Sequence, residues 1–404
     1  MTKENEKRVP KLRFKGFTDD WEQRKLNEVS IKITEKNKDN MFVETFTNSA
    51  EFGIINQRDY FDKDISNEKN LNTYYIVRND DFVYNPRISN FAPVGPINRN
   101  KLNKTGVMSP LYYVFRTHDI NKAYLENYFN SSKWHKFMKL NGDSGARSDR
   151  FAIKDSVFNT MPIPYPNLLE QDEIGKFINY VENVIALHQR KLEQLEKLKQ
   201  ALLQQMFSQK DETVPKLRFA NFDDEWEQHK LGDSVRFING RAYRQAELLD
   251  KGKYRVLRVG NFNTNTSWYY SNLELEDDKY ANKGDLLYLW ATSFGPEIWE
   301  RERVIYHYHI WKVEMLDENI DKQYLYTWLE TDKERIKQMT NGTTMVHVTK
   351  GLIEERSFQF PIYKQEQRQI GALFKNLDNL ITLHQKKLEH LKLIKQSLLQ
   401  NLFI

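Results

Sequence analysis

The 404-residue sequence contains no cysteine, which excludes disulfides, thiolate metal sites and a cysteine nucleophile and fits a reducing compartment. No stretch approaches the roughly 18 to 20 apolar residues of a membrane span, and the start, MTKENEKRVPKLRF, lacks the apolar core of a secretory signal. The expectation is a soluble, cytoplasmic protein with no membrane partner. There is no glycine-rich phosphate loop: Lys104-Thr105 stands without the glycines that would cradle ATP. The nine histidines show no His-Glu-x-x-His or comparable metal spacing, so no metal site is expected. The carboxylate pairs Asp19-Asp20 and Asp223-Asp224 stand just before Trp21 and Trp226, where turn formation or helix capping explains them better than acid–base chemistry. No catalytic residue and no cofactor of the chain's own is expected.

Charge of one sign is also scarce. Sixty-one Lys and Arg against 56 Asp and Glu leave a formal charge of +5, a mild excess that hints at a polyanionic partner without establishing one. Hydrophobic residues at 39% and aromatic residues at 13% suffice to fill compact domains despite a mean hydropathy of −0.75. Asn85-Pro86 after the run DFVY resembles the Asn-Pro-Pro-aromatic loop of amino-methyltransferases, but Arg87 and Ile88 follow and no cofactor loop precedes it. A methyltransferase is therefore not expected.

What is present, twice, is a long amphipathic helix. From about Glu170 to Phe207 the seam residues alternate by four and three: Ile174, Ile178, Val181, Ile185, His188, Leu192, Leu195, Lys199, Leu202, Met206. Each recurs 196 residues later, as Ile370, Phe374, Leu377, Ile381, His384, Leu388, Leu391, Lys395, Leu398 and Leu402. A helix of about 38 residues spans roughly 57 Å and is marginal alone, so the two are expected to bury their seams against each other as a coiled coil. The duplication favours an antiparallel, pseudo-twofold pair. In a fully antiparallel register His188 and His384 would approach each other, Lys199 would lie beside Phe374 and Lys395 beside Ile178, with the ammonium groups reaching water. Polar seam residues fix register; two histidines without a third ligand make a poor metal site. Leu187, Leu198, Leu203 and Phe207, matched by Leu383, Ile394, Leu399 and Phe403, widen the apolar face, either for packing on the chain's own domains or for docking partner subunits.

The repeat extends beyond the helices. Val9 to Leu26 (VPKLRFKGFTDDWEQRKL) matches Val214 to Leu231 (VPKLRFANFDDEWEQHKL) at an offset of 205. The organisation predicted is an opening segment 1–26, a first domain 27–165, a central long helix 166–207, a linker with the repeated opening segment 208–231, a second domain 232–362 and a C-terminal long helix 363–404. Both domains read as mixed and strand-rich, giving an α+β fold. TYYIVR, DFVYNP and SPLYYVFR are strand candidates in the first, and YRVLRVGNF, GDLLYLW and RVIYHYHIWKVEML in the second. Helices are predicted near Ala123 to Met138 and Lys322 to Met339, with turns at Asn141-Gly142 and Asn341-Gly342.

The diverged loops carry the candidate nucleic-acid contacts. In the first domain these are Arg87, Arg99, Lys101, Lys104, Arg147, Arg150 and Lys154, with Arg116, Lys133, Lys136 and Lys139 adding to the local excess of cations. In the second they are Asn239, Arg241, Arg244 and Arg258, then Thr343, Thr344, His347 and Lys350, with Tyr243 and Arg255 alongside. Arginine and lysine interleaved with Asn, Ser, Thr and Gly is the mixture that contacts phosphates and reads base edges. Tyr74, Tyr75, Tyr112, Tyr113, Trp268, Tyr269 and Tyr270 read mainly as strand packing.

The repeated opening segment, the PIPYP exit, Glu170-Gln171 and Glu366-Gln367 at the helix starts and LHQRKLEQLEKLKQALLQQMF together resemble, over essentially the whole chain, the DNA-specificity subunit of type I restriction–modification systems. The resemblance implies two target-recognition domains, each reading one half of a split duplex DNA site, with the helices as a ruler between them. It further implies two modification (methyltransferase) subunits docked on the shared segments and restriction/motor subunits joining for cleavage. S-adenosylmethionine, ATP and Mg would belong to those partners. With both domains on one face of the duplex, half-site centres would lie about one helical turn apart. A coiled-coil scaffold whose domains bind proteins is the alternative from another class.

Overall fold

The computed structural model describes residues 9–60, 68–143, 149–208, 212–263, 265–291, 293–339 and 348–404. The chain divides into two compact units, 1–189 with 386–404 and 190–385. Both long helices form, over Leu168–Met206 and Lys364–Asn401. No helix among the described residues is long and apolar enough to cross a membrane.

In the first unit an antiparallel four-stranded sheet runs in the order Ser30–Lys32, Tyr113–Thr117, Phe82–Tyr84, Ile97–Arg99. Two-stranded sheets pair Phe46–Ser49 with Gly53–Asn56 and Tyr75–Val77 with Gly106–Met108. The opening segment is part of this unit, since Glu22–Lys25 pairs with the proline-rich exit strand Pro162–Tyr165. The single helix expected near Ala123 to Met138 is two, Lys122–Asn130 and His135–Asn141. It breaks where the Ser131 hydroxyl and amide both bond the Tyr128 carbonyl, 2.6 and 3.1 Å, drawing the chain out of helical geometry.

The second unit repeats the base and changes what stands on it. Glu227–Lys230 pairs with Ser357–Phe360 as the opening and exit strands, and the helix Lys322–Met339 forms over the residues predicted. One four-stranded sheet orders Val235–Asn239, Ile310–Met315, Leu286–Leu289, Gly295–Ile298. A second orders Tyr269–Ser271, Tyr254–Leu257, Val304–Tyr306, Tyr280–Ala281, with the middle pair parallel. RVIYHYHIWKVEML, read as one run, is thus two strands in different sheets, with His307, Tyr308 and His309 between them. Asn341-Gly342 lies outside the described residues.

The start of each long helix is locked in the same way. Glu170, fully buried, accepts two bonds from Arg13 (Nε 2.7 Å, Nη2 2.9 Å) and one from Trp21 Nε1 at 3.2 Å. Glu366, also fully buried, accepts the same pair from Arg218 at 2.7 and 2.9 Å. The following glutamine joins domain to helix: Gln171 accepts the Asn121 amide at 2.8 Å and donates to the Pro166 carbonyl at 2.8 Å, and Gln367 accepts the Asp321 amide at 2.7 Å and donates to the Pro361 carbonyl at 2.9 Å. Asn121 and Asp321 are the residues whose side chains cap the domain helices, accepting from the amides of Tyr124 and Tyr324. The long helix crosses those caps so closely that a Cβ on Gly175 would fall 3.2 Å from the Tyr124 nitrogen, and one on Gly371 3.0 Å from that of Tyr324.

The far helix ends close the cores. In the first unit Leu398, Leu399, Leu402 and Phe403 are buried with Ile174, Ile178 and Val181, and the Phe403 ring lies 5.4 Å from Tyr124 and 5.8 Å from Tyr128. In the second, Met206 and Phe207 are buried with Ile370, Phe374 and Leu377, the Phe207 ring lying 5.6 Å from Tyr324 and 5.9 Å from Phe374. Within each unit the helices meet antiparallel, and an ion pair fixes the register. Lys395 bonds Glu182 at 2.7 Å in the first, and Lys199 bonds Asp378 at 2.6 Å in the second. The seam lysines were expected to send their charge to water beside Ile178 and Phe374; a carboxylate one turn farther along the facing helix takes it instead. Val181, Leu192, Leu195, Leu377, Leu388 and Leu398 are buried, while Ile185, Leu202, Ile381 and Leu391 are half-buried. His188 and His384, half-buried, belong to the first and second unit respectively. Of the residues widening the seam, Phe207, Leu399 and Phe403 enter the cores and Leu203 packs against one, whereas Leu187, Leu198, Leu383 and Ile394 remain exposed.

Removing one partner of a buried ion pair strands the other, so Arg13→Leu should destabilise the chain by about 3–5 kcal/mol in chemical denaturation, and Arg13→Met with Glu170→Leu by clearly less. Equal losses would contradict the lock. Trp226 Nε1, unlike Trp21 Nε1, has no hydrogen-bond partner among the described residues, so Trp21→Phe should cost about 1–3 kcal/mol and Trp226→Phe less. Phe403→Ala should cost about 3–5 kcal/mol, and a loss under about 1 would show that the helix end does not close the core.

Candidate nucleic-acid interface

Most described arginines of the first unit already hold a carboxylate. Arg99 sits between Asp80 (3.1 Å) and Glu126 (2.7 Å), and Lys101 reaches the same Glu126 at 2.5 Å. Lys104 pairs with Glu44 at 3.1 Å. Arg116 makes a two-bond contact with buried Asp81 at 2.7 and 2.9 Å, which raises its pKa, and Arg78 pairs with Glu35. Arg99, Lys101 and Lys104, proposed from sequence as DNA contacts, thus hold the domain's own carboxylates, and contact with DNA would first have to break those pairs. Lys133 is half-buried with its pKa lowered by burial and then by Lys11, and Lys136 and Lys139 are exposed on a short helix.

Arg87, Arg150 and Lys154 are different. Arg87 is exposed and forms no ion pair with a described residue, and a backbone bridge sets it opposite Arg150, whose Nε is buried without a partner. Bonds from the Ile88 amide to the Asp149 carbonyl (3.0 Å) and from the Phe151 amide to the Pro86 carbonyl (2.7 Å) hold the two segments together. Lys154 is exposed just beyond, before the helical turn Asp155–Phe158. Arg147 lies outside the described residues. Beside Arg87 opens a concavity of about 460 Å³ lined by polar side chains, among them Asn48, Asn85, Ser89, Tyr112 and Glu51, and by the apolar Phe46, Phe91 and Leu111. The Asn85 amide is not free to hold a base, because it donates to the Asn48 carbonyl at 2.8 Å while its oxygen accepts the Arg87 amide at 3.0 Å. That use is structural and unlike the methyltransferase loop that Asn85-Pro86 resembles.

The second unit sorts its cations likewise. Arg241 pairs with Glu247 at 2.8 Å and lies 5.3 Å from the Tyr243 ring. Arg255 pairs with Glu302 at 2.5 Å and lies 5.4 Å from the Trp268 ring, and Lys350 reaches Glu354 at 3.6 Å. Arg241 and Lys350 therefore also have partners within the domain. Asn239 is exposed with its carbonyl accepting Lys279 at 3.2 Å, and Arg244 is exposed without an ion pair to a described residue. Thr343, Thr344 and His347 lie outside the described residues. Arg258 forms no ion pair with a described residue. Its Nη2 donates to the Ser267 carbonyl at 3.0 Å, its head lies 4.3 Å from the Tyr269 ring, and its Nε is buried with no partner among the described residues. It borders a hollow of about 260 Å³ with Asn265, His307 and His309. Burial, followed by His309 and Arg258, pushes the His307 pKa down to about 4, so its ring is neutral at pH 7 and offers donor and acceptor without charge. Sequence reading missed these two histidines and Asn265; the alternation in VIYHYHIW concealed the break that brings the histidines to Arg258.

Among the described residues no cluster of three or more His, Asp or Glu could hold a metal. The arrangement offers hydrogen-bonding hollows, each with an arginine that forms no ion pair with a described residue, on two unlike domains.

Comparison with known proteins agrees with this geometry. The sequence matches the type I restriction modification DNA specificity domain over residues 18–197 and again over 223–393, one match per repeat. It is 26% identical over 197 residues to the type I restriction enzyme MjaVIII specificity subunit of Methanocaldococcus jannaschii, covering 48% of this chain and 45% of that protein. It is 23% identical over 335 residues to the MjaIX specificity subunit of the same organism, covering 75% and 70%. The first of these matches thus spans about half the length of the relative. The fold is similar to the S subunit of a type I restriction–modification system from M. genitalium, at TM-score 0.62, 15% identity and 98% and 99% coverage. It is also similar to a chain from a structure concerned with complex assembly and conformational transition of the type I R-M system, at TM-score 0.55, 15% identity and 95% and 97% coverage. With both repeats matched, the chain belongs to the type I restriction modification DNA specificity domain family, a family of specificity rather than catalytic components.

Proposed function

We propose that this chain selects a bipartite, asymmetric duplex DNA site, each unit reading one half, and carries adenine-methyltransferase and motor-nuclease subunits to it. The observation that carries the reading is the sorting of cations. Arg99 and Arg116 in one domain and Arg241 and Arg255 in the other are held by carboxylates, while Arg87 and Arg258 stand at hydrogen-bonding hollows with no ion pair to a described residue. Arginine presented in this way suits the paired acceptors of guanine in the major groove. The two hollows share no residue pattern, so the half-sites are unlike. Arg150, Lys154 and Arg244 are placed on phosphates, where they add affinity and salt dependence but little selectivity.

Chemistry, S-adenosylmethionine, ATP and Mg are assigned to the partners. Leu187, Leu198, Leu383 and Ile394, exposed at equivalent positions of both long helices, are proposed as their docking residues. A protein-binding scaffold, the other class considered, gains support from no feature of the hollows.

In the assembled complex, Arg87→Ala should weaken discrimination at a base pair in one half-site by about 1–3 kcal/mol, and Arg258→Ala at a base pair in the other. Binding to a panel of single-substitution duplexes measures both, and a loss uniform across all sequences would reassign them to phosphate. Leu187→Ser with Leu383→Ser should weaken assembly with modification subunits roughly tenfold or more. Denaturation should change by no more than about 0.5 kcal/mol, since both side chains are already in water. Unchanged assembly would remove the docking assignment.

A further inference from the structure

Phe91 is, at 77%, the most exposed large apolar side chain among the described residues. It does not hang from a loose loop. The Ser89 amide bonds the Ala92 carbonyl and the Ala92 amide the Ser89 carbonyl, both at 3.1 Å, leaving only Asn90 and Phe91 at the tip. The base of the loop is fixed as firmly. The Asn85 amide donates to the Pro96 carbonyl at 2.9 Å, and the Tyr84 hydroxyl to the Val94 carbonyl at 2.9 Å. Gly95 takes φ +83°, where a Cβ would fall 2.1 Å from the Asn85 carbonyl oxygen, so the loop admits no side chain there. A rigid loop therefore holds an aromatic ring out in water, at the lip of the concavity that Arg87 borders.

We propose that Phe91 is a wedge that stacks against or enters between base pairs of the half-site read by the first unit, kinking the duplex. The inference rests on the DNA-reading function of that unit. Three features favour a nucleobase over a protein side chain as its partner. Arg87, which lines the same concavity, forms no ion pair with a described residue and suits phosphate and base acceptors. The neighbouring hollow mixes apolar side chains with hydroxyl groups such as those of Ser89 and Tyr112, suited to polar base edges, while the ring suits their flat faces. The pinned tip loses little freedom on insertion, as an architectural wedge requires.

The test uses the full-length chain assembled with its modification subunits. The probes are end-labelled duplexes carrying the site identified by mapping methylated adenines, and bending is read by energy transfer between the labels. Phe91→Ala should lower affinity for the specific duplex roughly tenfold, within the range of one lost base–aromatic stack, and reduce the bend. Non-specific affinity and the melting temperature should stay unchanged. Phe91→Leu should keep most of the bend, because an aliphatic wedge also unstacks a base step. Wild-type affinity and bend in Phe91→Ala would overturn the wedge while leaving DNA reading intact, as would weaker assembly with the modification subunits at unchanged DNA binding. Absence of sequence-specific binding by the wild-type complex would overturn the underlying reading itself.

Discussion

Each half of this chain depends on a carboxylate withdrawn from water. Burying Glu170 or Glu366 alone would cost several kcal/mol, and the two-bond contact with Arg13 or Arg218 offsets that cost only if the opening segment lies across the helix start. Gln171 and Gln367 extend the constraint to the capping residue of the domain helix and to the proline exit. Segments about 150 residues apart in sequence thus meet at one point, and Gly175 and Gly371 let the long helix lie close against the domain helix that begins there. What stands above that point is free to differ. The first unit carries one four-stranded sheet with small companions, the second two four-stranded sheets, on the same base. A fixed mount with exchangeable contents is a physical basis for the two unlike readers proposed.

The account of the nucleic-acid surface turns on electrostatics at short range. Net charge says little, since +5 is spread over 404 residues. What distinguishes residues is whether a carboxylate already occupies the guanidinium. For Arg116 the side chain of Asp81 is almost fully buried, so withdrawing the arginine to DNA would strand that charge. For Arg87 no such penalty exists with a described residue, and for Arg258 the remaining contacts are a carbonyl and an aromatic face. Burial keeps His307 in its hollow neutral at pH 7, a hydrogen-bonding group without charge.

Much of the architecture was legible because it is periodic or repeated. The four-and-three alternation from Ile174 to Met206, its copy in the second long helix and the paired opening segments require only local reading, and the helix Lys322–Met339 follows from the same logic. The site was less legible because ion pairing is not local. Arg99 and Glu126 are 27 residues apart and Lys104 and Glu44 are 60, so sequence could not separate occupied from available cations. His307 and His309 were concealed by strand-like alternation across a break between two sheets, and the break at Ser131 by hydroxyl bonding within one helical turn. Membership of the first unit by residues 386–404 is a tertiary fact that the heptads alone do not state.

The central claim is that one chain with two differently furnished units specifies a split, unlike pair of DNA half-sites. The most direct measurement maps methylated adenines across DNA from cells carrying the complete system and aligns the flanking sequence. The account predicts two separated blocks of fixed bases, different from each other, with unconstrained bases between them. One contiguous block, or two identical blocks in inverted repeat, would contradict it.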